Sequence, residues 1–240
     1  MKKIIFLAIS VIWLFASTVY VASAANLTYV MPRIIKKFNV IYPDIKINLI
    51  LSSSGKLTAQ ILRGAPYDVF LSANMKYPSK LYKSGFCKTK PKVYAKGSIS
   101  IFSLKRKFTL KNLINANSIA VSKPMTTPYG KAAIESFKNA KIYNKIKNRL
   151  VFAQTVPAVI SYVKNYADAG IVSTSMVYSK NIKNLGKFYY TKIDSKLYSP
   201  INQGVILLSD KKAAKKFYNF LFSKTAKKIL KKYGYNVNYE

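Results

Sequence analysis

The sequence predicts an α/β protein of two lobes, the first built from both ends of the chain and the second inserted between them. Three observations carry this. Short apolar runs alternate with amphipathic helical patterns along most of the chain. A length of 240 residues accommodates two lobes of about 100 residues each. The apolar run over 202–208, late in the chain, reads as a strand returning to the first lobe.

Met1-Lys2-Lys3 and the apolar run over 4–16 have the charged and hydrophobic regions of a secretory signal, assigned to 1–17. Ala22-Ser23-Ala24 resembles a cleavage site, but 18–21 reads as a buried first strand that a cut there would remove, so cleavage is placed near Ala16 or Ser17. An uncleaved anchor is the alternative, because 4–25 is long enough to span a bilayer. No cysteine lies near this boundary to carry a lipid.

Leu27, Val30, Met31, Ile34, Ile35 and Phe38 fall on one helical face, with Asn26 at the N-cap position and Pro32 expected to bend the helix. Strands follow at 45–51 and 68–72, with a helix at 77–85 that Gly85 stops. The second lobe opens with strands at 98–103 and 118–122, then a helix at 128–140 that begins on proline, where a missing N–H costs nothing. Strands at 151–153 and 170–173 bracket a helix at 157–166. A two-part, lysine-faced helix over 211–232 closes the chain, with Phe217, Phe220, Leu221, Ile229 and Leu230 turned inward. The lobes are therefore drawn as 18–97 plus 202–240, and 98–201.

The composition excludes more chemistry than it suggests. The chain has no histidine, so a Ser-His-Asp triad and histidine metal sites are ruled out. Cys87 stands alone, which excludes an intrachain disulfide and multi-cysteine metal sites, and it reads as a half-buried apolar side chain. Seven scattered carboxylates show no acid–base spacing. Against them stand 41 lysines and arginines, for a net charge of +34. Such a balance suggests nucleic acid or an anionic surface. Yet only Arg33, Arg63, Arg106 and Arg149 are arginines, and the lysines are dispersed among residues with AT-rich codons. Compositional drift of the surface and a selected charge are both open readings, and the dispersal favours drift.

The most informative segment is Ser52-Ser53-Ser54-Gly55-Lys56-Leu57, in which an apolar strand delivers an amphipathic helix. Free backbone N–H groups and the positive end of the helix dipole make such a start a site for an anion. Thr127-Pro128-Tyr129-Gly130 and Thr155-Val156-Pro157 repeat the device. Three such starts point to an oxyanion cleft. Each residue also has an ordinary reading: Asn26 and Ser54 as plain caps, Tyr129 as packing, Val156 as core, Asp68 as a turn hydrogen bond.

The chain resembles the molybdate/tungstate solute-binding family, the periplasmic receptors of ABC transporters. The resemblance runs from about 18 to 235. It rests on Ala24-Ala25-Asn26-Leu27, Ser53-Ser54-Gly55, Gly64-Ala65-Pro66-Tyr67-Asp68-Val69-Phe70-Leu71-Ser72-Ala73, Pro124, Pro128-Tyr129-Gly130-Lys131-Ala132-Ala133, Ala167-Asp168-Ala169-Gly170-Ile171-Val172 and Lys232-Tyr233-Gly234-Tyr235. It implies a type II periplasmic-binding-protein fold with a mixed sheet in each lobe and the ligand in the cleft. It also implies oxyanion ligands at Asn26, Ser54, Tyr129 and Val156. Ser173, where some members carry a tyrosine, is the fifth implied oxyanion ligand, and the Tyr129 phenol is the alternative in its place. No catalytic residues, cofactor or direct metal-ion ligands are implied.

Neutral donors can hold a dianion without lysine in the pocket. Charge-assisted hydrogen bonds contribute about 1.5–3 kcal/mol each, so several leave roughly micromolar affinity or better after desolvation and closure. A site of donors alone would reject protonated phosphate, whose P–O–H would lack an acceptor. The expectation is thus an exported, monomeric, non-enzymatic receptor that delivers molybdate or tungstate to a membrane permease with a cytoplasmic ATPase. The alternatives are a receptor for another oxyanion such as sulfate, and a basic nucleic-acid or surface-binding protein, which would need a contiguous basic stripe with interleaved aromatics.

Overall fold

The computed structural model describes residues 17–237. The expected leader lies outside these residues except for Ser17, which opens β1 (Ser17–Ala24). A 3-10 turn, Ala25–Leu27, then leads to α1 (Met31–Ile41). The helix expected to start at Asn26 therefore starts later, and Pro32 sits in its first turn rather than inside it. No N–H is needed there, so the proline costs no hydrogen bond. Asn26 is consequently not the cap of α1; it is buried in the turn before it.

The first lobe continues with β2 (Ile45–Ser52), α2 (Ser54–Leu62), β3 (Val69–Ser72), α3 (Lys76–Lys83) and β4 (Lys92–Gly97). The second lobe holds β5 (Ile99–Ser103), β6 (Ile119–Ser122), α4 (Pro128–Asn139), α5 (Tyr143–Ile146), β7 (Leu150–Ala153) and α6 (Val156–Asn165). It ends with β8 (Ala169–Ser173), α7 (Thr174–Val177), α8 (Lys180–Lys183) and β9 (Tyr189–Lys192). The chain then returns through β10 (Ile201–Leu207), α9 (Lys212–Phe220) and α10 (Lys224–Lys232).

Each lobe is a five-stranded mixed sheet flanked by helices, in the orders β2-β1-β3-β10-β4 and β7-β6-β8-β5-β9. In the first, β1 runs parallel to β2 and β3, while β10 runs antiparallel to β3 and β4. In the second, β6 runs parallel to β7 and β8, while β5 runs antiparallel to β8 and β9. Two crossings join the lobes, at Ser98 and between β9 and β10; Ile201 pairs with Gly97, so the crossings lie side by side as a hinge.

The first sheet is covered on one side by α1, α9 and α10, through Met31, Ile34, Phe38, Phe217 and Leu230, and on the other by α2 and α3, through Leu57, Ile61 and Leu81. The second lobe has one continuous core around Phe102, Val121, Phe137, Val159 and Ile171. Burial on this scale stabilises each large apolar side chain by about 1.5–3 kcal/mol, which holds the strand ends rigidly against each other. Those strand ends carry the site.

Candidate functional site

Four turns converge where the lobes face each other: the 3-10 turn after β1, and the first turns of α2, α4 and α6, which follow β2, β6 and β7. All four strands run parallel to a neighbour, and the carboxyl ends of such strands are where open α/β sheets bind ligands.

The three helix starts share one construction. Ser53, Thr127 and Thr155 are the N-caps, and their hydroxyls accept from the N–H groups of Lys56, Gly130 and Ala158. In α4 and α6 a proline, Pro128 or Pro157, removes a second N–H. In α2 the Gly55 N–H donates across the cleft to the Thr126 carbonyl at 3.2 Å. Among the N–H groups that follow the cap, each start is thereby left with one that has no acceptor among the described residues, at Ser54, Tyr129 and Val156. The expected cap role of Ser54 belongs to Ser53. The Ser54 hydroxyl instead accepts from the Ala73 N–H at 3.0 Å, so its own proton remains available to donate.

Asn26, Ser54, Tyr129 and Val156 are all buried and line one small cavity together with Ala24, Ala25, Ser53, Ala73, Thr127, Pro128 and Thr155. No charged side chain is among them. The cavity is narrow, with no more than about 210 Å³ of empty space even when its open side is counted. The rim is clasped between the lobes by the Gly55–Thr126 bond and by the Tyr77 hydroxyl, which donates to the Met125 carbonyl at 3.3 Å.

Behind the cavity lies a buried polar network at the hinge. Asn26 Nδ2 is 2.7 Å from Tyr235 Oη, 3.0 Å from Gln203 Oε1 and 3.2 Å from Tyr129 Oη. Asn26 Oδ1 is buried without a partner, an acceptor that the expectation of a donors-only site did not include. The Tyr129 side chain runs to the hinge, where a Cβ on Gly97 would fall 2.3 Å from its hydroxyl. The phenol expected in place of the family tyrosine thus sits against the Gly97 backbone, and the N–H is the Tyr129 donor left unpaired. Ser173 does not line the cavity: its hydroxyl is 2.9 Å from Ser175 Oγ, one layer beneath.

Burial, and then the neighbouring Tyr235, push the Tyr129 pKa well above the ordinary tyrosine value, and burial likewise raises Tyr235. Both stay protonated at neutral pH. Asp68, read as a turn residue, is buried and accepts from the Tyr20 N–H at 2.8 Å and from Lys211. Burial raises the Cys87 thiol to about 11, which leaves it protonated and unreactive. No group of three or more His, Cys, Asp or Glu residues suited to a metal ion occurs among the described residues.

Gln203, Ser175 and Tyr235 were not anticipated as parts of this region. Gln203 left a faint signal, a lone amide inside the apolar β10, and it is fully buried. Tyr235 ends Lys232-Tyr233-Gly234-Tyr235, a stretch that carries the family resemblance but no local sign of a site.

A family model described as bacterial extracellular solute-binding protein matches residues 19–236. The chain belongs to that family. It is 30% identical to the molybdate-binding protein ModA of Azotobacter vinelandii, over 92% of this chain and 91% of that one. It is 31% identical to the ModA of Rhodobacter capsulatus, over 76% and 74%. The solved structure of the Azotobacter vinelandii periplasmic molybdate-binding protein superposes with a TM-score of 0.84 at 26% identity, covering 92% of this chain and all of that one. The sulfate-binding protein SubI of Mycobacterium tuberculosis shares the fold, at 12% identity and a TM-score of 0.77. This chain has the two-lobed solute-binding architecture of its family. No helix among the described residues is long and apolar enough to cross a membrane.

Proposed function

We propose that this protein is an exported receptor that captures a tetrahedral oxyanion, molybdate or tungstate, and hands it to the permease and cytoplasmic ATPase of an ABC importer. One observation carries the reading: three helix starts from two lobes each present an unpaired N–H to one small, uncharged cavity. Asn26, Ser54, Tyr129 and Val156 are the proposed ligand positions, and Ser173 is a support beneath them. The Ser54 hydroxyl adds a donor, and the Asn26 turn adds a polar group at the floor. Fixed dipoles at helix starts favour negative charge without titrating, so the ion is held by the N–H and O–H donors and released when the lobes part. Molybdate-binding relatives of the same length and fold support the choice of ligand.

Nothing in the cavity suits catalysis. It offers no carboxylate, lysine or thiol to act as acid, base or nucleophile. A monomeric receptor without a resident cofactor or direct metal-ion ligands, exported by its leader, completes the proposal. A thermal-shift panel tests it: a ligand bound only by the folded, closed form stabilises it by about 2.7 kcal/mol at 100 times Kd. Molybdate and tungstate should raise the melting temperature. A larger shift with sulfate would reassign the site to that alternative.

A further inference from the structure

The terminal Lys232-Tyr233-Gly234-Tyr235 takes no part in lining the cavity, yet Tyr235 touches both lobes behind it. Its ring is buried, and its hydroxyl accepts from Asn26 Nδ2 at 2.7 Å and from Ser175 Oγ at 3.1 Å, and donates to the Asn26 carbonyl at 3.3 Å. Asn26 belongs to the first lobe and Ser175 to the second. Gly234 takes φ +77°, and a Cβ there would fall 2.7 Å from the ring of Tyr178, so the segment also packs its backbone on the second lobe. Asn236 pairs with Lys96 beside the hinge.

Packing alone would not require the hydroxyl. What the hydroxyl does follows from counting protons. Gln203 Nε2 is committed to the carbonyls of Ala73 and Ile201, so Gln203 presents Oε1 to Asn26. That acceptor takes one proton of Asn26 Nδ2, and Tyr235, nearer than Tyr129, takes the other. Both amide protons are then assigned, so the Asn26 side chain offers the ligand no donor and instead anchors the turn at the cavity floor through two residues that never reach the ligand.

We propose that Tyr235 is a positioning residue of the oxyanion site: it fixes the Asn26 turn at the cavity floor through that residue's side-chain amide and carbonyl, and through Ser175 it ties the turn to the second lobe in the closed form. The inference rests on the receptor reading. Its consequence is that the lifetime of the bound state depends on a hydroxyl outside the cavity.

The test compares molybdate and sulfate binding by the wild type, Tyr235→Phe, Ser175→Ala, Asn26→Ala and the Tyr235→Phe/Asn26→Ala double variant, with equilibrium titration and stopped-flow dissociation. Tyr218→Phe, which removes a buried hydroxyl from α9 in the first-lobe core, is the control for a merely structural loss. Tyr235→Phe should weaken molybdate binding about tenfold, mainly through faster dissociation. Ser175→Ala should shift dissociation in the same direction, and Tyr218→Phe should change neither quantity. Because Tyr235 acts through Asn26, the double variant should bind within about twofold of Asn26→Ala. Wild-type affinity and dissociation in both Tyr235→Phe and Ser175→Ala would overturn the inference, as would a Tyr235→Phe loss that adds in full to that of Asn26→Ala. If the wild type binds no oxyanion, the receptor reading itself fails and takes this inference with it.

Discussion

Replacing Ser54 by alanine removes one oxygen that serves two partners, and the structure separates the two costs. The hydroxyl accepts from the Ala73 N–H at 3.0 Å, and Ala73 is buried, so the substitution leaves a buried donor unpaired. That penalty is about 1–3 kcal/mol of folding stability and is present without ligand. For a chain of this length it lowers the melting temperature by roughly 3–10 °C. The lost charge-assisted bond to the oxyanion costs a further 1.5–3 kcal/mol or so of binding, about ten- to 150-fold in Kd. Ser53→Ala is the matched comparison. It deletes the cap that accepts from Lys56 N–H, at about 1 kcal/mol of stability, but it leaves the Ser54 donor in place. Calorimetric titration and thermal melts of both variants decide the matter. A Ser54→Ala protein that binds molybdate as tightly as Ser53→Ala would refute the assignment of its hydroxyl to the ligand.

Other expectations concern the hinge, the charge and pH. Gly97→Ala places a Cβ 2.3 Å from the Tyr129 hydroxyl, so oxyanion affinity should fall at least tenfold, with partial recovery in Gly97→Ala/Tyr129→Phe; full affinity in the single variant would show that closure tolerates the displacement. The cavity carries no charged side chain, so molybdate affinity should change little between about 50 and 300 mM salt, whereas any DNA binding should collapse by counterion release; a steep loss for molybdate would make the +34 charge part of the site. No lining group titrates near neutrality, so affinity should be flat from about pH 6 to 9. Because burial raises the folded-state pKa of Tyr129 and Tyr235, their contribution to stability is fully present below the ordinary tyrosine value near 10 and is lost as pH rises above it; denaturant melts should show alkaline destabilisation that is reduced in Tyr235→Phe.

Most of the architecture was legible because its signals are local. The apolar runs of β1, β2, β6 and β8 and the proline-led starts of α4 and α6 are written in adjacent residues. β4 and β9 escaped notice for the same reason: KVYAKG and YYTK lie at sheet edges, carry lysines and lack a long apolar run. The Pro32 bend failed because proline at a helix start and proline within a helix look alike until the start is known. The helix-start donors were visible, since a cap and its following residues sit side by side. The hinge network was not, because Asn26 meets Tyr129, Gln203 and Tyr235 across sequence separations of 103, 177 and 209 residues. The Tyr129 phenol was assigned to the ligand because nothing local tells that Gly97 makes room for it elsewhere.

Isothermal titration of the protein with molybdate, repeated with tungstate, sulfate and phosphate, tests the central claim most directly. A neutral cavity of converging N–H and O–H donors should bind one molybdate or tungstate per chain at about micromolar Kd or tighter. Sulfate should bind more weakly if separation rests on cavity size, and phosphate should compete poorly because the N–H groups of Ser54, Tyr129 and Val156 offer its P–O–H no acceptor. Phosphate binding equal to that of molybdate, or no binding of any tetrahedral oxyanion, would contradict the account.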